Sequence, residues 1–134
     1  MQTLLQVAGE NVLYFEIEGK GLAMVTGCGH GGVLNLLDYA RQSFVGGERL
    51  YAVYGGLHIA PFEDWNAEKD AVIAALGGYG IAHFGCNHCT GALAVEKMVA
   101  AGLPVVRGSA QHGSNNAMFL GNGDVLELSG DAVR

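Results

Sequence analysis

One pattern occurs three times along the chain and constrains the fold more than any other feature. A short apolar strand is followed by a glycine-rich loop and then by a segment with apolar residues at helical spacing. The predicted strands of these units are Leu22–Thr26, Leu50–Tyr54 and Ile81–Phe84. Because alternating strands and helices are joined by right-handed crossovers, we expect a sheet that is parallel in its middle.

A β-hairpin is predicted near each end of the chain. Val12–Ile17 pairs with Leu22–Thr26, and Ala117–Leu120 pairs with Val125–Leu128, in both cases across a glycine-containing turn. Pro104–Arg107 is a further candidate strand. The predicted fold class is therefore α/β, with a mixed sheet that carries hairpins at both ends.

Composition sets the size and the class of the protein. The 134 residues fit one domain, spanning 1–134, and the 50% hydrophobic content with 15% charged residues excludes a disordered, coiled-coil or collagen-like chain. With so few charged residues, the chain has few polar side chains to cover its surface. We therefore expect another subunit to cover some of the apolar surface.

Charge and targeting signals restrict the kinds of partner and the compartment that we expect for the protein. Seven basic against thirteen acidic side chains give a net charge of −6, and the basic residues are scattered singly, so we expect neither nucleic acid nor a membrane surface as a partner. The chain shows no signal-peptide pattern, and its apolar runs are shorter than the roughly 18 residues of a membrane-spanning helix. These observations predict a cytoplasmic protein.

The three strand-to-helix loops carry the residues with the most chemistry. Ligands bind at the carboxyl ends of parallel strands, so the three loops should share one rim of the sheet. They contain Cys28, His30, His58, Cys86, His88 and Cys89. Thiolate and imidazole are the usual ligands of zinc, and this pattern predicts a metal site.

Other roles for these residues remain open. A buried cysteine often acts as a small apolar residue, which applies to Cys28 and Cys86. Cys86 and Cys89 also form a C-x-x-C pair, which would suit thiol redox chemistry. His112 lies in a polar loop and is predicted to be a surface residue rather than a ligand.

Three loop motifs resemble a known superfamily. Thr26–Gly32 (TGCGHGG), Gly55–His58 (GGLH) and His88–Gly91 (HCTG) are similar to motifs in the C-terminal half of metallo-β-lactamase-fold proteins. Within that superfamily the chain is most similar to the dihydropterin ribofuranosylaminobenzene phosphate synthase-like branch of β-lactamase superfamily II metal-dependent hydrolases. The resemblance implies half of an αββα sandwich, with the helices on one face of the sheet and the metal at its rim.

The resemblance also implies roles for individual residues. Cys28 or His30 stands where the superfamily has an acidic ligand, and His88 matches a late histidine ligand. Cys28, His30 and His88 are therefore the expected ligands of a divalent metal, zinc in the first place and iron or manganese as alternatives. His58, Cys89 and Thr90 are expected to contact the substrate or the metal ligands.

The expected function follows from this resemblance. It implies a metal-dependent hydrolase or transferase that acts on a small, phosphorylated or pterin-like molecule. The superfamily's H-x-H-x-D-H motif does not occur in the 134 residues, so a second chain or a second copy should complete the site. The alternatives are a non-catalytic metal- or ligand-binding homodimer and a thiol redox protein that uses Cys86 and Cys89.

Overall fold

The computed structural model describes residues 9–109 and 117–128, and it contains four strands and three helices in that part of the chain. In chain order these are β1 (Val12–Ile17), β2 (Gly21–Thr26), α1 (Val33–Ser43), β3 (Leu50–Gly55), α2 (Ala67–Gly77), β4 (His83–Cys86) and α3 (Ala92–Ala100). A single 3-10 turn, His88–Thr90, lies between β4 and α3.

The four strands form one mixed sheet in the order β1-β2-β3-β4. β1 and β2 pair antiparallel as a hairpin, whereas β3 runs parallel to β2 and β4 runs parallel to β3. The predicted α/β class, the first hairpin and the parallel middle of the sheet are thereby confirmed. The carboxyl ends of β2, β3 and β4 lie at one edge, and we call this edge with its loops the rim.

The hydrophobic core lies between the helices and one face of the sheet. Met24, Val53 and Phe84 occupy paired positions on β2, β3 and β4, and all three are almost fully buried. The helices supply the other side of the core, with the buried side chains Val33, Leu37, Ala40, Ile73, Leu76, Ala94, Val95 and Met98. This packing fixes where each strand ends, and therefore where the rim loops begin.

The opposite face of the sheet is covered less completely. We call the side chains Leu13, Phe15, Val25 and Tyr54 the outer sheet face, since strand alternation and register place them together there. Leu13 is 64% exposed and Phe15 is 42% exposed. Leu120, Leu126 and Leu128 cover part of this face and leave a cavity of about 240 Å³ beside Tyr54.

The predicted second hairpin does not form. Residues 117–128 contain turns and no strand, and the Leu120 N–H donates instead to the Cys86 carbonyl oxygen at the end of β4. The Asp124 carboxylate accepts from the Gly121 and Ser109 N–H groups and so links the predicted turn to Ser109, which lies outside the predicted hairpin. Of the predicted strand Pro104–Arg107, one bridge between Val105 and Phe84 is present.

One sequence expectation falls outside the described residues, and one is addressed by them. His112 lies outside the described residues. Among the described residues, no helix has the length and apolar character needed to cross a membrane.

Candidate metal centre

Two loops of the rim bring two cysteines and a histidine together. Cys28 follows β2, and His88 and Cys89 follow β4. The Cys28 sulfur lies 3.5 Å from Nδ1 of His88, and the Cys89 sulfur lies 3.0 Å from the carbonyl oxygen of Cys28. One donor atom from each side chain falls within 4.8 Å of the other two. We call these three residues the cysteine–histidine cluster.

The cluster suits a zinc ion in donor type and in spacing. Zn–S and Zn–N bonds in tetrahedral sites place a sulfur and a nitrogen ligand about 3.6 Å apart. The 3.5 Å separation between Cys28 and His88 agrees with that value. His88 is exposed and both cysteines are partly exposed, so an ion could reach the cluster from solvent. Three protein ligands would leave a fourth position for water or substrate.

Hydrogen bonds within the β2 loop hold Cys28 in place. Thr26, which is buried at the end of β2, accepts a 3.0 Å hydrogen bond from the Gly29 N–H through its hydroxyl oxygen. The Glu10 carboxylate accepts from the N–H groups of His30 and Gly31 at 2.7 and 3.2 Å. Sequence reasoning missed both residues, although a threonine three residues before a glycine is a recognisable turn signal. Glu10 carries no local signal, because its partners lie about twenty residues away.

Thr90 holds the second loop against the third. Its side chain is fully buried, and its hydroxyl accepts from the Leu57 N–H at 3.0 Å and donates to the Asn87 carbonyl oxygen at 2.9 Å. His88 has a φ of 49°, in the left-handed region that non-glycine residues rarely adopt. The Thr90 hydrogen bonds close the turn that contains His88 and so help to keep this conformation. The Thr90 hydroxyl therefore bonds to the main chain of the rim loops.

Glu63 was also missed by sequence reasoning and fixes the far end of this turn. Its carboxylate accepts from the N–H groups of Ala92 and Leu93, both at 2.7 Å, and caps the start of α3. A carboxylate at this position is also favoured by the helix dipole. The segment that carries His88 and Cys89 is therefore anchored at both ends.

Gly56 permits the close approach of the three loops. A Cβ atom at this position would lie 2.5 Å from the Gly27 carbonyl oxygen and 2.8 Å from the Cys89 sulfur. Neither distance is compatible with a side chain, so the β3 loop passes between the other two only because residue 56 is glycine.

The structure pairs His30 with His58 and leaves it outside the cysteine–histidine cluster. The two imidazole rings lie against each other, with their centroids 4.3 Å apart and their planes tilted by 35°. Nδ1 of His58 is buried and has no hydrogen-bond partner among the described residues. Burial, and then the neighbouring His30, lower the pKa of His58 below its ordinary value, which favours the neutral imidazole. The expected ligand set of Cys28, His30 and His88 therefore differs from the observed cluster by one residue.

The three cysteines have different surroundings. Cys86 is fully buried, its sulfur lies 4.0 Å from that of Met98, and burial raises its pKa to about 12. Burial also raises the pKa of Cys89, whose sulfur faces Cys28. The redox hypothesis pairs Cys86 with Cys89, whereas the structure turns one sulfur into the core and the other toward the rim.

Comparisons with known proteins place this rim in context. No family model matches the chain. It is 33% identical over 72 residues to the 7,8-dihydropterin-6-methyl-4-(beta-D-ribofuranosyl)-aminobenzene-5'-phosphate synthase of Methanocaldococcus jannaschii, which covers 54% of this chain and 24% of that protein. The crystal structure of a metal-dependent hydrolase of the β-lactamase superfamily superimposes with a TM-score of 0.58 and 28% identity, over 66% of this chain and 33% of that one.

The chain resembles part of a metallo-β-lactamase superfamily protein. The resemblance inferred from the loop motifs is thereby confirmed. The chain spans about a quarter of the curated relative and about a third of the solved one. The solved neighbour is described as metal-dependent, and in this metallo-β-lactamase-like chain the cysteine–histidine cluster is a group of side chains that could hold a metal ion.

Proposed function

We propose that this chain forms part of the active site of a metallo-β-lactamase-type hydrolase or transferase that acts on a small, phosphorylated or pterin-like molecule. The observation that carries the proposal is the cysteine–histidine cluster at the rim, where a parallel sheet places its ligands. The curated relative is a synthase whose name includes a dihydropterin and a phosphate, which supports the choice of substrate class.

Zinc is the proposed metal, held by Cys28, His88 and Cys89. Two thiolates and an imidazole form a soft donor set, which favours zinc over manganese and over iron outside a sulfur cluster. A bound zinc ion supplies Lewis acidity and lowers the pKa of a bound water to about 7. The first two of these residues were expected as ligands from the sequence, and Cys89 takes the place proposed there for His30.

His58 is proposed to bind the substrate. A buried nitrogen without a hydrogen-bond partner costs about 1–3 kcal/mol, so we expect Nδ1 of His58 to gain a partner when the site is complete. Its neutral imidazole can accept a hydrogen bond from a substrate hydroxyl or amide.

A second chain, or a second copy of this one, is proposed to complete the protein. The outer sheet face exposes Leu13 and Phe15, and covering it would stabilise the assembly by about 25 cal/mol per Å² of apolar surface removed from water. In a sandwich of two sheets this face would be internal. Light scattering on the purified chain tests the proposal, since a homodimer or a stable complex is expected and a monodisperse monomer would count against it.

Metal binding tests the central part of the proposal. The full chain is purified, loaded with zinc, dialysed, and analysed by inductively coupled plasma mass spectrometry, and we expect near-stoichiometric zinc. Cys28→Ser and Cys89→Ser should each lower the zinc affinity by about 100-fold or more, because each removes one of three ligands. Cys86→Ala is the matched control and should keep the metal, since Cys86 faces the core.

His30→Asn separates the two ligand sets. If the cysteine–histidine cluster holds the metal, this variant keeps its zinc affinity within a few-fold. A loss as large as that of Cys28→Ser would instead favour the set of Cys28, His30 and His88. Failure of the unaltered chain to retain zinc, even after supplementation, would remove the support for a metal-dependent function.

A further inference from the structure

Cys28 and Cys89 are a pair of nucleophilic sulfurs on two separate loops. Their sulfur atoms lie within 4.8 Å of each other, and the Cys89 sulfur contacts the main-chain oxygen of Cys28 at 3.0 Å. Both side chains are partly exposed. Gly56 lies against both loops, since a Cβ atom there would lie 2.8 Å from the Cys89 sulfur and 3.3 Å from the Cys28 Cα.

We propose that Cys28 and Cys89 form an intramolecular disulfide when the metal-free protein meets a peroxide, and that this bond closes the cysteine–histidine cluster to metal. Formation of the disulfide does not depend on the proposed function. The effect of the disulfide on metal binding rests on the proposed function. The oxidant is hydrogen peroxide.

The reaction balances as a two-electron oxidation. The Cys28 sulfur attacks one peroxide oxygen, so that an S–O bond forms, the O–O bond breaks and water leaves after protonation. The Cys89 sulfur then attacks the resulting sulfenic acid, so that the S–S bond forms, the S–O bond breaks and a second water leaves. Both sulfurs are oxidised and the peroxide is reduced to two waters.

The surroundings of the cysteines decide which sulfur reacts first and which stays inert. The contact of Cys28 with His88 is exposed to solvent, whereas the contact of Cys89 with Cys28 is partly buried, so the peroxide reaches Cys28 first. Cys86 is fully buried against Met98 and takes no part. The sulfur separation of at most 4.8 Å must close to a bond of about 2.05 Å, which requires side-chain rotation and a shift of the loops.

Mass spectrometry of the full chain tests the proposal. The metal-free protein is treated with hydrogen peroxide, and the intact mass and a non-reduced peptide map are recorded. We expect the loss of two hydrogen atoms, a peptide that links Cys28 to Cys89, and full reversal by a phosphine reductant. Cys86→Ala should give the same product, whereas Cys28→Ser and Cys89→Ser should give stable oxygen adducts on the remaining cysteine.

The outcomes separate this proposal from the proposed function. Oxidation that gives sulfinic acids without a cross-link, a link to Cys86, or a link between two chains would overturn the disulfide. Zinc loaded beforehand should slow the reaction at least tenfold. If the disulfide forms equally fast with zinc present, the disulfide stands and the metal site fails; if zinc binds through both cysteines but no disulfide forms, the metal site stands and the disulfide fails.

Discussion

The rim and the outer sheet face of this molecule are built in opposite ways. At the rim, Thr26 holds the β2 loop, Thr90 and Glu63 tie the β3 loop to the segment after β4, and Gly56 allows the three backbones to approach closely. On the outer sheet face, Leu13 and Phe15 remain exposed and part of the cover comes from a segment without regular structure. The cysteine–histidine cluster is therefore held by contacts within the chain, whereas the apolar outer sheet face stays partly exposed.

Gly56→Ala should have the largest effect on the rim. The added Cβ would meet the Gly27 carbonyl oxygen and the Cys89 sulfur, so the loops must move apart. We expect a loss of about 1–3 kcal/mol of folding stability from this overpacking. We also expect at least a tenfold lower zinc affinity, since displaced ligands bind weakly. Chemical denaturation and zinc competition measure the two effects.

Gly77→Ala is the control for that substitution. Its Cβ would meet only the end of the Leu103 side chain, at 3.9 Å, at the end of α2. Alanine should leave stability unchanged or raise it by up to about 1 kcal/mol. An equal loss of zinc affinity in the two variants would show that Gly56 has no special role at the rim.

Thr90→Val should destabilise the fold by about 1–3 kcal/mol, because it leaves the buried Leu57 N–H without its acceptor. Thr90→Ser retains the hydroxyl and should recover most of that loss. Urea denaturation of the two variants measures the difference. If valine and serine are equally stable, the hydrogen bonds of Thr90 do not hold the loops together.

Leu13→Lys tests the outer sheet face. Leu13 is 64% exposed, so the free energy of unfolding of the isolated chain should change by no more than about 0.5 kcal/mol. Assembly should weaken strongly, because a charge would enter an apolar interface. Light scattering over a concentration series measures this. Unchanged assembly would place the interface elsewhere.

The smallest expected effect is a difference in alkylation among the three cysteines, which compares their reactivity directly. At pH 8, iodoacetamide should label Cys28 and Cys89, while Cys86, with a pKa of about 12, should be labelled only after unfolding. Folding raises the pKa of Cys86, so the neutral thiol is favoured in the folded state. The free energy of unfolding that depends on this thiol is fully present below about pH 9 and is lost as the pH rises toward 12. Peptide mapping checks the labelling, and rapid labelling of Cys86 in the native chain would contradict its burial.

The sequence predicted the features that depend on local patterns. Apolar spacing and the glycine loops were sufficient for the first hairpin, the three helices and the parallel strands, because each element carries its own signal. The prediction of the second hairpin was wrong, because the Leu120 N–H donates to the Cys86 carbonyl oxygen at the end of β4, a distant contact that the turn residues alone did not reveal. Residue 112 lies outside the described part and stays a prediction.

The residues of the candidate site could also be predicted only in part, because contacts between distant residues decide which side chains meet. Loop positions placed Cys28 and His88 at one rim, and the structure brings them to 3.5 Å. Whether His30 or Cys89 joins Cys28 and His88 depends on where the side chains point. The Glu10 carboxylate accepts from the His30 N–H, and the His30 ring lies against the ring of His58. Such long-range contacts leave no local pattern in the sequence. The roles of all these residues as ligands stay predictions.

X-ray absorption spectroscopy at the zinc edge of the zinc-loaded chain tests the central claim most directly. It reports the number and type of ligand atoms without requiring a substrate. The cysteine–histidine cluster predicts two sulfur ligands at about 2.3 Å and at least one nitrogen ligand at about 2.0 Å. A spectrum that contains only nitrogen and oxygen ligands would contradict it.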